Sequence, residues 1–544
     1  MPQQASETLF SQELLDENPI IAKRFYMPIG QNSKDQPDAI GLDQVATLQN
    51  ADTNARGVRV TRTGFTQVSN DTGTSLRVPG LGNFYVGGGT KYLTRVNGTL
   101  WESWAGAGNW TTITGATLTN NKITNFVVAG GMQFLLNGID NVFSTTNGTA
   151  ATDEGNTNTD PPHSRFGIYH QNMLILSGNS TSRSYVWPSV QLDPQTFDRN
   201  ARAIQIDEKD NDDVTALVNL SLTLRPGFLA FKTRSTHFVD TSEGGDDPSL
   251  WTIIKIDSAH GTIGERTACA VGASVGSGDC VFLSQEGRKY RLRSLVRSIN
   301  DSITTGSILS TSIENILDDV NDTIMDQCIV YYFDERILLA IPSGNHAYLD
   351  TLCVLDLKNS DPSSGSWKWS VWTGFKIASI STYRQNGIDY LYFGDGTANA
   401  KVYRMFDGST SDDGVAIDFI EESRRENFDT PELDKNFQFV ECEFLATDDS
   451  YVTVEAQIDG DGYSSLNPVR VQLENAGPHL PINLPFQLAA QNKVRQKFQM
   501  DALGIGRDIQ IKITHGEIDK KINLLGYTIV AFVEPLHLET RSQT

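Results

Sequence analysis

Basic residues are in short supply in this sequence. Its 544 residues carry 44 Lys and Arg against 66 Asp and Glu, a formal charge of −22. Holding nucleic acid tightly requires clustered cations that neutralise phosphates, so the balance argues against that class and against binding to anionic membranes. Cysteine is also sparse. Cys269, Cys280, Cys328, Cys353 and Cys442 are odd in number, widely spaced and without a C-x-x-C pair. That pattern disfavours a disulfide framework or a structural zinc site and points to buried, reduced thiols. No run of 18 apolar residues occurs, and residues 1–11 lack the basic-then-apolar order of a secretory signal. Triplets such as Asn97-Gly98-Thr99 and Asn147-Gly148-Thr149 then read as turns rather than glycan sites. The expectation is a soluble chain, made in a reducing cytoplasm, with no membrane insertion.

Helical periodicity is nearly absent. Its best instance is 311–320, where Ile313, Ile316, Leu317 and Val320 share a face and Thr311 with Glu314 matches a capping box. A shorter one lies at 6–15, around Leu9, Phe10, Leu14 and Leu15. What the chain has in quantity is short β-type runs: 39% of it is hydrophobic and 9% aromatic, enough for two to four cored domains.

Seven times an apolar strand is followed by a turn and a second strand carrying aromatics. The pairs are 92–96 with 99–101, 134–136 with 142–143, 173–176 with 185–187, 228–231 with 237–239, 281–283 with 290–292, 337–341 with 353–355, and 390–393 with 402–403. Asn97-Gly98, Asn137-Gly138 and Asp395-Gly396 supply the positive φ that tight turns need. A unit recurring at this spacing predicts an all-β chain, a β-propeller of six to eight blades, in preference to a pair of β-sandwiches. After Gly408 the strands lengthen and alternate charged with apolar residues, as in 452–458, 508–513 and 523–530, which predicts a C-terminal β-sandwich. The expected division is an extended N-terminal arm at 1–56, a propeller at 57–410 with a helical insertion near 307–322, and the sandwich at 411–544.

Catalytic signatures fail one by one. Gly272-Ala273-Ser274-Val275-Gly276 fits G-x-S-x-G but is followed by a strand, not the helix that a nucleophile elbow needs. Gly87-Gly88-Gly89-Thr90-Lys91 lacks phosphate-loop spacing, and the eight histidines show no metal-ligand pairing. The acidic runs 207–213 and Asp459-Gly460-Asp461-Gly462 offer oxygens for Ca²⁺ without completing an EF-hand, and read as solvated loops. Ser284-Gln285-Glu286-Gly287 faintly matches a sialidase Asp-box but does not recur, and reads as a hairpin turn. The densest basic patch is Arg288, Lys289, Arg291, Arg293 and Arg297. On a strand Arg291 and Arg293 share a face, giving a candidate contact for an acidic subunit or a phosphate backbone, with a solvated edge as the alternative. No catalytic, cofactor or metal residue is assigned.

Taken in order, several segments match one family. Ala55-Arg56-Gly57-Val58-Arg59-Val60-Thr61-Arg62-Thr63-Gly64-Phe65 resembles the R-x-G-F opening of short-tailed bacteriophage (podovirus) tail nozzle proteins, also called tail hub or packaged-DNA stabilisation proteins, with Thr63 where Pro is usual. Residues 171–178 with Trp187-Pro188-Ser189, then Pro194-Gln195-Thr196-Phe197, look like the next unit of that family. Residues 212–217 with 228–232, 282–287, and 504–511 continue the likeness. The resemblance implies a virion component of the tail: a hexameric ring below the portal and the adaptor, or head-to-tail connector. Such a ring continues the viral dsDNA channel without sequence specificity, neighbours tail fibre, tailspike or needle proteins, and retains DNA until ejection. It implies no reaction and no cofactor. The alternative is a carbohydrate-binding or glycan-cleaving propeller using Trp101, Trp104 and Trp110. No acid/base pair is placed by motif for it, and those tryptophans are expected to be packing residues.

Overall fold

The computed structural model of the chain describes residues 20–26, 30–53, 58–68, 76–86, 89–220, 225–272, 280–297, 303–361, 365–445, 450–462, 469–473, 493–499 and 504–533. The helix expected at 6–15 and most of the G-x-S-x-G segment lie outside the described residues. Two compact units emerge: Phe65–Trp367 with Thr373–Asp407, and Met1–Gly64 with Lys368–Trp372 and Gly408–Thr544.

The first unit is a β-propeller. Among the described residues it has seven antiparallel blades. Their innermost strands are Gly80–Tyr85, Asn125–Ala129, Phe166–His170, Val214–Asn219, Ala268–Ala270, Ile329–Phe333 and Ile377–Gln385. Each neighbours the next and the last neighbours the first, so the ring is closed. The seven expected hairpins are the second and third strands of these blades. Phe228, for example, pairs with Val239, and Leu338 with Val354. Second strands sit inside their blade and are covered on both faces, which is why they read as unbroken apolar runs. Met173–Ser177 and Gly227–Lys232 are buried along their whole length.

Apolar clusters form between blades. Phe166, Met173 and Ile175 of the third blade meet Val214, Phe228 and Ala230 of the fourth. Each such fully buried side chain contributes about 1.5–3 kcal/mol. The last blade takes Ile377–Gln385, Ile388–Asp395 and Val402–Met405 from one end of the unit and Phe65–Gln67 from the other, with Tyr403 opposite Gln67 and Met405 opposite Phe65. Phe65 packs edge-on against Phe393 at 5.1 Å and Tyr403 at 5.0 Å. Val78, Leu93 and Trp104 then join Tyr383, Tyr392 and Val402 to seal the seventh blade to the first.

The helical insertion is smaller than expected. Ile303–Ile308 is a strand; a 3₁₀ turn, Thr311–Ile313, leads into one α-helical turn, Glu314–Asp318, and a second 3₁₀ segment follows at Asp322–Gln327. No side-chain cap forms at the α-helical start. Glu314 instead faces Arg291, and Ser310 Oγ accepts from the Leu292 amide, so neighbouring strands claim the groups that would have capped a longer helix.

The second unit is a sandwich. One sheet runs Lys493–Gln499, Lys435–Leu445, Asn523–Val533, Arg59–Thr61, Ala51–Thr53, with Ile20–Tyr26 also on Asn523–Val533. In the other, Thr47–Gln49 is followed by Phe419–Glu422, Ile509–His515, Ser450–Ile458 and Val469–Leu473. Alternate residues, among them Val452, Val454, Ile511, Ile513, Ile529 and Ala531, meet in one core. The strands expected at 452–458, 508–513 and 523–530 are all present. The described part of residues 1–64 differs from an arm: its strands complete these sheets, and sequence distance hides that pairing. Lys368–Trp372 joins the same unit, where Val371 pairs in parallel with Gln49.

The R-x-G-F motif is structurally occupied. Arg62 Nη1 and Nη2 donate to the two Asp412 carboxylate oxygens at 2.8 and 2.6 Å, and its Nε donates to Asn50 at 2.9 Å. A Cβ on Gly64 would lie 1.9 Å from the Ser411 carbonyl oxygen, so only glycine fits there. Removing one partner of a buried pair strands the other charge, so Arg62→Ala is expected to cost about 3–5 kcal/mol in urea unfolding, with Arg62→Lys losing less.

Candidate functional site

The inner strands enclose a cavity of about 370 Å³ along the propeller axis, lined by residues of five blades including Asn83, Phe126, Cys269, Tyr331 and Ser381. Arg266, two residues before the fifth inner strand, lines it and reaches across it. Its Nη1 donates to the Ala378 carbonyl at 2.8 Å and the Pro79 carbonyl at 3.4 Å, and Nη2 to the Gln327 carbonyl at 3.4 Å. One guanidinium thus ties the starts of the first, sixth and seventh blades together across the axis. Burial lowers its pKa, and Glu265 opposes that shift. Tyr331 donates to Thr382 of the neighbouring blade at 3.3 Å. The axis is braced from inside by the chain's own groups.

At one end, where the chain enters the inner strands, the axis opens into a mouth of about 550 Å³. Arg77, Lys122, Arg165 and Arg183 line it, with Asp213, Glu265 and Asp326. Glu265 is buried, which raises its pKa against the pull of Arg165, 3.6 Å away. The Asn125 amide holds it at 3.0 Å. The pre-strand residues Arg77, Lys122, Arg165 and Arg266 are separated by one or two blades each, so no local motif announces their convergence.

The basic strand lies elsewhere, on Lys289–Arg297 of the fifth blade. Arg291 is buried and faces Glu314 at 3.4 Å and Asp318 at 3.3 Å; Lys289 also meets Asp318, at 3.5 Å. Arg293 pairs with Glu286 at 2.6 Å. Arg288 is exposed in the hairpin turn, and the side chain of Arg297 lies outside the described residues. Three of the five cations therefore hold the helical insertion and the hairpin. Close by, His260 Nδ1 and Asp257 are 2.9 Å apart. Burial raises the Asp257 carboxyl, but hydrogen bonds from Thr305, Ala259 and His260 outweigh it and hold the pKa at about 2.

The other candidates find structural roles. In the 207–213 run, Asp210 pairs with the fully buried Lys232, and Asp207 with Lys255. Asp459 takes the Arg507 and Asp508 amides at 2.7 and 3.1 Å. Among the described residues no cluster of three His, Cys, Asp or Glu is placed to hold a metal. Ser284–Tyr290 is a tight hairpin with Glu286 opposite Lys289. Trp101 and Trp104 are buried, and Trp110 packs under the Arg95 guanidinium at 4.3 Å. Four of the five thiols are buried, and burial pushes Cys353 up to about 12.

No protein-family model matches the chain, and no curated protein matches it. Similar solved structures include YCF48 from Cyanidioschyzon merolae, 10% identical with a TM-score of 0.37 over 63% of this chain and 98% of that one. The β-propeller domain of Cps50 (Swd1) from Myceliophteria thermophila is 10% identical, TM-score 0.36, over 63% and 98%. Exo-β-1,3-galactanase from Phanerochaete chrysosporium is 10% identical, TM-score 0.25, over 86% and 99%. Such distant likenesses say nothing of activity.

Two outcomes are expected here. Arg266→Met removes the guanidinium bonds to the Ala378, Pro79 and Gln327 carbonyls, of which the Pro79 oxygen keeps the Thr124 amide at 3.4 Å, and should cost about 2–4 kcal/mol in urea unfolding. Because the Asp257 pKa is depressed on folding, its stabilisation is complete above the ordinary carboxylate range and fades as pH falls toward 2. Asp257→Asn should therefore flatten the fall of the thermal midpoint between about pH 5 and pH 2.

Proposed function

We propose that this chain is a structural subunit of a short-tailed phage tail, a nozzle or hub ring that continues the DNA channel below the portal and adaptor. The observation that carries this reading is the ordered series of family-like segments running from Val58 to Ile511 through both units. The braced axis supports it. A propeller whose centre is crossed by Arg266 serves as a rigid block, and the conduit then runs between subunits rather than through any one of them. Six copies in a symmetric ring would carry about −132. An acidic wall repels phosphates and leaves duplex DNA mobile, whereas a basic one would trap it through counterion release. In this reading the chain catalyses no reaction, needs no cofactor, and belongs to the virion tail. It meets an adaptor ring on one side and fibre, tailspike or needle proteins on the other.

Native mass spectrometry of the purified protein tests the reading. The expected result is a closed oligomer of six-chain mass, with duplex DNA retained weakly at about 0.15 M salt. A monomer that persists at high concentration, or tight duplex binding, would count against it.

A further inference from the structure

The propeller mouth carries charge of the wrong sign for the chain. In a protein of net charge −22, four cations there face three carboxylates, one of them the buried Glu265. Arg165 meets Glu265 at 3.6 Å and Arg183 meets Asp213 at 3.3 Å, with the two guanidinium side chains 46% and 65% exposed. Pairs this open hold their partners weakly and can exchange them. Arg77 and Lys122 have no carboxylate partner among the described residues. Arg77 donates to the Gln327 side chain at 3.3 Å and the Asn121 carbonyl at 3.0 Å, and its buried Nε has no hydrogen-bond partner. These groups converge on a concavity of about 550 Å³, within the range of specific ligand sites.

We infer that the mouth is a docking site for a short acidic peptide segment of another protein, held by its carboxylates against Arg77, Lys122, Arg165 and Arg183. Planar guanidinium groups receive carboxylates two-pronged, and the concave wall excludes water around them. A peptide fits better than nucleic acid for a reason of reach. A polynucleotide carries its charge beyond the mouth and into the negative field of the rest of the chain, within about 10 Å at 0.1 M salt, while a few acidic residues end inside the cavity. The inference does not depend on ring formation, because the mouth is lined by one propeller alone.

Fluorescence anisotropy with a labelled hexaglutamate peptide, at about 50 mM salt, reads the site directly. The full-length protein should bind it saturably. The double reversal K122E/R183E, at two solvent-reachable positions, should weaken binding about tenfold or more, and R288E, on an exposed turn of the fifth blade, should leave it unchanged. Thermal unfolding of each variant reports folding, and the neutral pair K122Q/R183Q gives a second reading with an intermediate loss. Absence of saturable binding, or equal binding by all variants, overturns the proposal. So does a single-stranded oligonucleotide that binds as tightly and loses affinity in K122E/R183E, since the site would then be one for nucleic acid.

Discussion

The propeller depends on a closure made by three residues. Phe65–Gln67 is the outer strand of a blade whose other strands lie at the far end of the unit. Thr66 Oγ1 donates to Asp407 across 341 positions of sequence. A blade exposes an apolar face on each side, so a row of blades left open would leave two faces and two edges bare. Closing the ring covers both. The cost is the loop entropy of a very long-range contact, and the interblade clusters and the aromatic group around Phe65 offset it.

From that closure the rest of the unit follows. Seven inner strands set around an axis leave a narrow central cavity, and Arg266 donates across it to carbonyls of three other blades, which makes the centre a brace. The −22 is also not all free surface charge. Asp412, Glu421 and Glu426 are buried against Arg62, Arg59 and Lys23 in the sandwich, and in the propeller Asp210 pairs with the buried Lys232. The acidic excess that a channel wall would show belongs to the carboxylates left after such pairing.

The hairpins were legible because their second strands are buried on both faces, as 173–176 and 228–231 are, and in the first two blades the turn carries an Asn-Gly with glycine at positive φ. The inner strands were not. Ile377–Gln385 alternates apolar residues with Ser, Thr and Arg, and Ala268–Ala270 spans three residues, too short for any period to show. The closing strand was illegible for a different reason, since nothing in Phe-Thr-Gln names a partner so far along the chain. The basic strand 289–297 was visible as composition, but the carboxylates that neutralise Arg291 sit on the helical insertion. At the mouth the difficulty is reversed. Arg77, Lys122, Arg165 and Arg183 are isolated in sequence and become a group only when the blades are set in a ring.

We propose a propeller braced across its own axis as the building block of a conduit formed between copies. Electron microscopy of the purified protein tests this most directly. Rings with an open centre bounded by several subunits are expected, with the Arg266 brace across each propeller axis. Isolated single chains, or a ring whose open passage runs through the propeller axes, would contradict it.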